Sequence, residues 1–306
     1  MDVSATADTT TGAPWVGRSI PRVEDPPLLS GRGRFVDDIG VRPGTLHAAI
    51  LRSPHAHANI VSIDVAAAKQ ARGVIAVLTG EDIKVLTASL VVGVKAPVEC
   101  WPIAVGRVRY VGEPVAIIVA ESRYLAEDAI DLIDARYDAL PAVADPVRAM
   151  DAGAALLHDG FPNNIASDRS FKYGDPDRVF AEASRTVAIT IRYPRNSCTP
   201  IETYGVIAEY DPAEQAFDVL ANFQGPFSIH AVLSRALKVP GNRLRLRTPP
   251  DSGGSFGVKQ GVFPYIVLVA AAARATGRPV KWIEDRLEHL AASVSATNRA
   301  TTLRAA

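Results

Sequence analysis

The first half of the chain is built from short apolar runs of strand length. Three of them, TLHAAILRS, IVSIDV and GVIAVLTG, lie between Thr45 and Gly80, and a short helical stretch, AAAKQAR, separates the last two. A further run, EPVAIIVA, predicts a buried strand at 113–120. The stretch after it, ESRYLAEDAIDLIDARY, predicts one helix from the spacing of Leu125, Ala129, Leu132 and Ile133. We therefore predict a strand and helix unit on one face of a mixed sheet.

The second half mixes strands and helices without a strict repeat. Residues 140–177 are rich in Pro, Asp, Gly and Asn and show no sustained period, so we place a domain boundary near residue 150. The segments beyond it predict, in order, a short helix opening at Pro176, the strands RTVAITIRY, TYGVIAEY and AFDVLANFQ, a helix FSIHAVLSRALKV and a strand NRLRLRT. A glycine-rich loop, an apolar core helix from Phe263, a strand PVKWIED and a helix RLEHLAAS follow. The predicted fold class is α+β.

Composition and charge narrow the possible partners. The 306 residues contain 33 Lys plus Arg and 33 Asp plus Glu, so there is no net field to attract nucleic acid or an anionic membrane. The apolar run at 262–273 is shorter than the roughly 20 residues that span a bilayer. Residues 1–16 have the composition of a disordered tail and lack the apolar core of a secretory signal. These features predict a cytoplasmic protein without nucleic-acid or membrane partners.

The loop PPDSGGSFGVKQG, before the apolar helix, admits several interpretations. A phosphate-binding loop needs Gly-Lys-Ser/Thr or three glycines at dinucleotide spacing, and neither pattern is present. Residues 253–257 formally satisfy the G-x-S-x-G pattern of a serine hydrolase, with Ser255 as nucleophile, but Pro249 and Pro250 end the strand early. A plain Gly-rich connection and a backbone surface that lies against a large cofactor both stay open.

The same loop, followed by GRPVKWIEDRLEHL, resembles the molybdenum hydroxylase family, the large molybdopterin-binding subunits of xanthine dehydrogenase, aldehyde oxidase and aerobic carbon monoxide dehydrogenase. The segments GRSIPRVEDPPLLSGRGRFVDDI, LHAAILRSPHAHANIVSID and GEPVAIIVA are similar to the family's opening segment and its small hammerhead domain. TPIETYGVIAEYD and LANFQGPF are similar to its next blocks. The resemblance runs from about Gly17 to the end of the chain. It implies a hammerhead-like domain over 17–150 and the first molybdopterin-binding domain over 151–306, without the second one.

The resemblance also implies site residues. Gln224 matches the glutamine whose amide donates a hydrogen bond to an oxo ligand on molybdenum, which makes it the catalytic candidate. The backbone of Gly254, Ser255, Phe256 and Gly257 matches the loop against the pterin, with Ser255 standing where the family usually has a third glycine. Gln260 stands where purine-oxidising members carry a glutamate, so it is the substrate-binding candidate and a xanthine-like substrate is not supported. No side chain is expected to ligate the metal directly, because the pterin sulfurs hold it.

By resemblance, the chain is part of a heteromeric oxidoreductase that oxidises an aldehyde, an N-heterocycle or a similar small molecule with water as oxygen source. The implied cofactor is molybdopterin with molybdenum, in the cytosine dinucleotide form, shared with a partner chain that supplies the second half of the large subunit. An iron–sulfur subunit and an FAD subunit are the other implied partners, and the chain alone is expected to be inactive. A non-catalytic scaffold or truncated product is the alternative, and a serine hydrolase using Ser255 is a remote one.

Four other polar residues have simpler interpretations. His55 and His57 have no evident third metal ligand, so we interpret them as packing and hydrogen-bonding residues. Glu202 is expected to be a buried, paired carboxylate. Cys198 is expected to be a small buried apolar residue, because no histidine lies near it in sequence.

Overall fold

The structure, a computed structural model, describes residues 16–91, 98–159 and 161–306. The predicted disordered tail lies outside the described residues except for Val16. Twelve strands and eight α-helices occur in the described part of the chain. The strands are β1 Leu46–Arg52, β2 Ala58–Asp64, β3 Val74–Thr79, β4 Arg107–Val108, β5 Pro114–Ala120, β6 Asp134–Ala139, β7 Val187–Tyr193, β8 Gly205–Asp211, β9 Ala216–Ala221, β10 Leu244–Arg247, β11 Val280–Ile283 and β12 Arg299–Ala305. The helices are α1 Asp25–Leu29, α2 Ala66–Gln70, α3 Gly80–Leu86, α4 Arg123–Asp128, α5 Pro176–Glu182, α6 Pro226–Ala236, α7 Phe263–Thr276 and α8 Arg286–Ala292.

A seven-stranded mixed sheet joins the two halves of the chain. Its strand order is β10, β9, β8, β11, β1, β5 and β3, so β1, β5 and β3 of the first half continue β8 to β11 of the second. The junction is the parallel pair β1 and β11, where Leu46 aligns with Val280. The strands β4, β2 and β6 form a separate antiparallel sheet. The domain boundary near residue 150 stays a prediction.

The apolar helix α7 lies at the centre of the largest core. Every residue from Tyr265 to Ala273 is buried, and the helix ends at Gly277, whose φ of 64° is easily reached by glycine. Although α7 and the turn before it, Val258–Thr276, are long and apolar enough for a membrane span, most of this stretch is buried inside the protein. A second, smaller core forms between the other face of the sheet and helices α2 and α4. The prediction of a core helix is confirmed.

Two expectations from the sequence are wrong. The predicted helix through ESRYLAEDAIDLIDARY ends at Asp128, and after a short 3₁₀ turn the chain forms β6, which pairs with β2. Period-two burial explains this, because Ala135 and Tyr137 are half-buried whereas Asp134 and Arg136 are exposed. Cys198 is exposed, because residues 194–200 form an irregular segment that gives its side chain no apolar cover.

The two-stranded ribbon of β7 and β12 stands apart from both sheets, and β12 was not predicted. All fourteen of its residues are exposed, and in the described part of the chain the two strands pair only with each other. One face carries the apolar side chains of β7 together with Leu303, and we call it the apolar ribbon face; its members are Val187, Ile189, Ile191, Tyr193 and Leu303. On the opposite face, Arg192 pairs with Asp145 at 3.5 Å and the Arg304 guanidinium lies 5.1 Å from the Phe180 ring centre.

Candidate functional site

The glycine loop connects β10 to α7 and has an unusual backbone. Three of its four residues from Gly254 to Gly257 have positive φ: 100° at Gly254, 52° at Phe256 and 93° at Gly257. Glycine reaches this region easily, but a bulky side chain such as Phe256 pays a conformational cost there. The surrounding structure must therefore hold Phe256 in place, which is typical of functional loops.

An ion pair on the core side of this loop anchors it. The Lys259 ammonium contacts a carboxylate oxygen of Glu202, and the two side chains are only 2% and 14% exposed. The same carboxylate accepts hydrogen bonds from the backbone N–H of Gly253 at 2.9 Å and of Val36 at 3.2 Å. Burial lowers the pKa of Lys259, and the facing Glu202 carboxylate acts in the opposite direction. The expectation that Glu202 is a paired carboxylate is confirmed, and its side chain is half-buried.

Close backbone approach explains two of the glycines at the ends of the loop. A Cβ built on Gly253 would lie 2.3 Å from the Cβ of Glu202. A Cβ built on Gly261 would lie 2.1 Å from a methyl carbon of Val294 and 2.9 Å from the Tyr204 hydroxyl. Distances below 3 Å between such atoms require the neighbours to move. Only glycine therefore fits at both positions.

Gln224 is fixed beside the loop by its backbone and its side chain. It lies three residues beyond the end of β9, and its backbone N–H donates to the carbonyl oxygen of Lys259 at 3.3 Å. The Ser255 hydroxyl donates to Gln224 Oε1 at 2.5 Å. Asn222, just before it, is held by Gly205 N–H and the Thr203 carbonyl. Two segments separated by about thirty residues therefore meet at one edge of the sheet.

The site residues predicted from the sequence differ in exposure. Gln224, Phe256, Gly257 and Gln260 are exposed, whereas Gly254 and Ser255 are half-buried. The Phe256 side chain is 72% exposed, and Phe227, at the start of α6, is 94% exposed. The structure thus brings Gln224 together with the glycine loop through Ser255, and it shows no side-chain hydrogen bond for Gln260 among the described residues. Their roles at a cofactor or substrate stay predictions.

The geometry gives no support to a serine nucleophile. The Ser255 hydroxyl donates to an amide oxygen, which cannot act as a general base. His289, the downstream histidine, is fully buried and bonds through Nδ1 to Glu284 at 2.7 Å. Asp285 caps α8 by accepting from the backbone N–H of Glu288. The nucleophile, base and acid of a hydrolase are therefore not assembled around Ser255.

The two histidines near β2 have the structural roles expected from the sequence. His57 is buried, and its Nδ1 lies 2.9 Å from the carbonyl oxygen of Pro141. The His55 ring contacts the Tyr137 ring, with 5.0 Å between their centres. Neither belongs to a cluster of three or more metal-ligating side chains in the described part of the chain. Hydrogen bonding is thus confirmed for the His57 ring and packing for the His55 ring.

The loop fits a group that is rich in acceptor atoms. The backbone N–H groups of residues 254–257 donate no hydrogen bond within the described residues, although the neighbouring Gly253 and Val258 N–H groups do. Successive free N–H groups in a turn where right-handed and left-handed backbone conformations adjoin form a concave donor surface for anions and oxo groups. A cofactor that brings its own metal ligands needs this kind of contact from the protein, in the form of hydrogen bonds and shape.

Comparison with known proteins identifies the class. The profile described as "Aldehyde oxidase and xanthine dehydrogenase, a/b hammerhead domain" matches residues 30–141, and the profile described as "Molybdopterin cofactor-binding domain" matches residues 157–306. The chain belongs to the molybdenum hydroxylase family, and it has the family's hammerhead domain followed by a molybdopterin-binding domain.

Three bacterial proteins illustrate the similarity of this chain to members of the family. The nicotine 6-hydroxylase large subunit of Paenarthrobacter nicotinovorans is 37% identical over 292 residues, which cover 94% of this chain and 35% of that protein. The carbon monoxide dehydrogenase large chain of Hydrogenophaga pseudoflava is 35% identical, covering 89% of this chain and 35% of that protein. The crystal structure of quinoline 2-oxidoreductase from Pseudomonas putida 86 superposes with a TM-score of 0.85 at 37% identity, covering 94% of this chain and 37% of that one. The chain thus spans about a third of the length of these relatives.

Proposed function

We propose that the chain forms one part of the active site of a molybdenum-dependent hydroxylase, in which the glycine loop and Gln224 bind the molybdopterin cofactor. The observation that carries the proposal is the meeting of the free N–H groups of 254–257 with the Gln224 amide at one exposed edge. The substrate class is an aldehyde, an N-heterocycle or a similar small molecule, and water supplies the oxygen. Names of the relatives, among them nicotine 6-hydroxylase and carbon monoxide dehydrogenase, support this class.

The bound cofactor would supply the redox chemistry, accepting two electrons from the substrate. The residues of this chain hold and orient it. The N–H groups of residues 254–257 would hold its acceptor atoms, and the Gln224 amide would donate a hydrogen bond to the bound group. The exposed Gln260, on the helical turn after the loop, is assigned to contact with the substrate. Removing a donor that is preorganised for developing charge costs about 2 to 4 kcal/mol in related situations.

The proposal includes partners and a location. We propose the cytosine dinucleotide form of the cofactor, an iron–sulfur subunit and an FAD subunit that carry electrons away, and a cytoplasmic complex. We also propose that this chain alone is inactive and that a partner chain supplies the second half of the large subunit. Two of the relatives are named as a large subunit and a large chain, and such names support partner subunits in the complex.

The apolar ribbon face supports a further polypeptide as partner. A two-stranded ribbon is marginally stable by itself, and exposed contiguous apolar surface usually marks an interaction site. On the opposite face Arg192 and Arg304 contact Asp145 and Phe180, whereas Ile189 and Ile191 are exposed and have no apolar cover in the described part of the chain. We assign the apolar ribbon face to the interface with the second half of the large subunit.

The experiment replaces Gln224 in the assembled complex. We expect Gln224→Ala to assemble and to retain molybdenum, but to turn over at least about a hundredfold more slowly, from the lost hydrogen bond. Gln224→Glu should be slower still, because a carboxylate would face an electron-rich oxygen. Gln70→Ala, at an exposed glutamine on α2, is the matched control and should keep wild-type turnover.

Two results would count against the proposal. Equal turnover of Gln224→Ala and wild type at matched molybdenum content would show that Gln224 is not at the metal. Purification without any second polypeptide, and without molybdenum, would favour the scaffold or a truncated product instead.

A further inference from the structure

Ser255 poses a question that the family resemblance leaves open, because a hydroxyl stands where the family usually has a glycine hydrogen. In the structure this hydroxyl has a partner on a distant segment of the chain. It donates to Gln224 Oε1 at 2.5 Å, across a gap of 31 positions in the chain. We propose that Ser255 is a positioning residue that fixes which side of the Gln224 amide is presented as a donor. This inference rests on the proposed function.

The geometry of a carboxamide makes the contact selective. The Gln224 amide has one acceptor, Oε1, and one donor group, Nε2, on the same planar carbon. A hydroxyl that donates to Oε1 holds this oxygen toward the glycine loop, so Nε2 points away from Ser255. Nε2 donates no hydrogen bond to the part of the chain that the structure describes, so it is available to an external acceptor. The flipped amide would place its oxygen where the donor is needed.

Backbone hydrogen bonds fix both Ser255 and Gln224, so the side-chain hydrogen bond joins two fixed segments. The Ser255 carbonyl oxygen accepts from the Val258 N–H at 2.9 Å, which closes the loop into a turn. The Gln224 N–H donates to the Lys259 carbonyl, and the Lys259 side chain is buried against Glu202. The loop therefore accommodates the Ser255 Cβ, and its hydroxyl links the loop to the Gln224 amide.

The first test observes the amide directly and needs no cofactor. The chain contains only four glutamines, so selective ¹⁵N labelling of glutamine side chains gives four resolvable amide groups: Gln70, Gln215, Gln224 and Gln260. In the full chain we expect the Gln224 side-chain amide to be as rigid as the backbone. In Ser255→Ala it should become as mobile as that of Gln260, the internal control, whose own signal stays unchanged. An equally rigid Gln224 amide in Ser255→Ala would overturn the inference.

The second test measures turnover in the assembled complex at matched molybdenum content. Loss of one hydrogen bond predicts that kcat is about three- to tenfold lower in both Ser255→Ala and Ser255→Gly, with KM unchanged. Ser255→Thr keeps the hydroxyl, so it should keep the wild-type kcat. In the Gln224→Ala background, Ser255→Ala should have no further effect. Wild-type kcat in Ser255→Gly would overturn the inference while leaving the proposed function intact. A molybdenum-free wild-type complex would instead overturn the proposed function, whatever the amide signals show.

Discussion

Replacing Lys259 with Met removes the cation under the glycine loop and leaves its partner in place. Lys259 is the most buried lysine side chain among the described ion pairs, at 2% exposure, and Glu202 retains only 14%. After the substitution the Glu202 carboxylate keeps two backbone donors, Gly253 N–H and Val36 N–H, but its charge has no counterion. The methionine fills most of the volume of the lysine stem, so the change tests charge more than packing.

The expected cost follows from the burial of the pair. Removing one partner of a buried ion pair costs about 3 to 5 kcal/mol, because the other charge stays desolvated. The two backbone donors and the residual water contact of Glu202 place our expectation at the lower end, about 3 kcal/mol. Typical domains are stable by about 5 to 15 kcal/mol, so the variant should still fold.

The assay is urea unfolding of the purified protein, followed by circular dichroism and by tryptophan fluorescence. Lys172→Met is the matched control, because Lys172 pairs with Asp177 at 3.0 Å but both side chains are more than half exposed. It should change the free energy of unfolding by less than about 1 kcal/mol. A double variant, Lys259→Met with Glu202→Gln, should be less destabilised than the sum of the single changes. If Lys259→Met unfolds at the same urea concentration as Lys172→Met, the ion pair does not anchor the loop.

Three further outcomes are expected. Burial raises the pKa of Glu113 from 4.5 to about 7, so the protonated native carboxyl contributes stability that is present below pH 4.5 and lost as pH rises through 7. Urea titrations from pH 5 to 8 should show a decline in the free energy of unfolding, at most on the order of 3 kcal/mol. Glu113→Gln should reduce this decline, and an identical pH profile in that variant would contradict the expectation. Ile191→Lys should impair association with the second half of the large subunit whereas Thr190→Lys, on the opposite ribbon face, should not; equal association of both would refute the assignment. Gly261→Ala should lower the thermal midpoint, because the added methyl collides with Val294; an unchanged midpoint would refute the close contact.

Local patterns along the chain predict most elements of the fold. The patterns in TYGVIAEY and AFDVLANFQ correctly predict the strands β8 and β9, which pair as a hairpin in which Asp211 aligns with Ala216. Period-two burial in DARYDA was hidden, because its apolar residues also fit helical spacing and the decisive partner, β2, lies about seventy residues away. The parallel pairing of β1 with β11 joins residues about 230 apart and leaves no local signal.

In the candidate site, too, local motifs can be recognised from the sequence whereas long-range contacts cannot. Gln224 and the loop are recognisable from their sequence motifs, but the hydrogen bond between Gln224 and Ser255 depends on tertiary structure. The sequence does hint that Lys259 belongs to a buried ion pair, because this lysine lies beside a long apolar run and a buried cation needs a partner. Its partner, Glu202, is 57 residues away, so only the fold identifies it. Cys198 illustrates the opposite error, because residue type alone does not determine burial in an irregular segment.

Metal and pterin analysis of the purified protein, with whatever polypeptides accompany it, tests the central claim most directly. Our account predicts molybdenum and pterin in amounts equimolar with the chain, and loss of both together when the glycine loop is disrupted by Gly253→Ala, which collides with Glu202. A preparation that oxidises its substrate while containing neither molybdenum nor pterin would contradict the account.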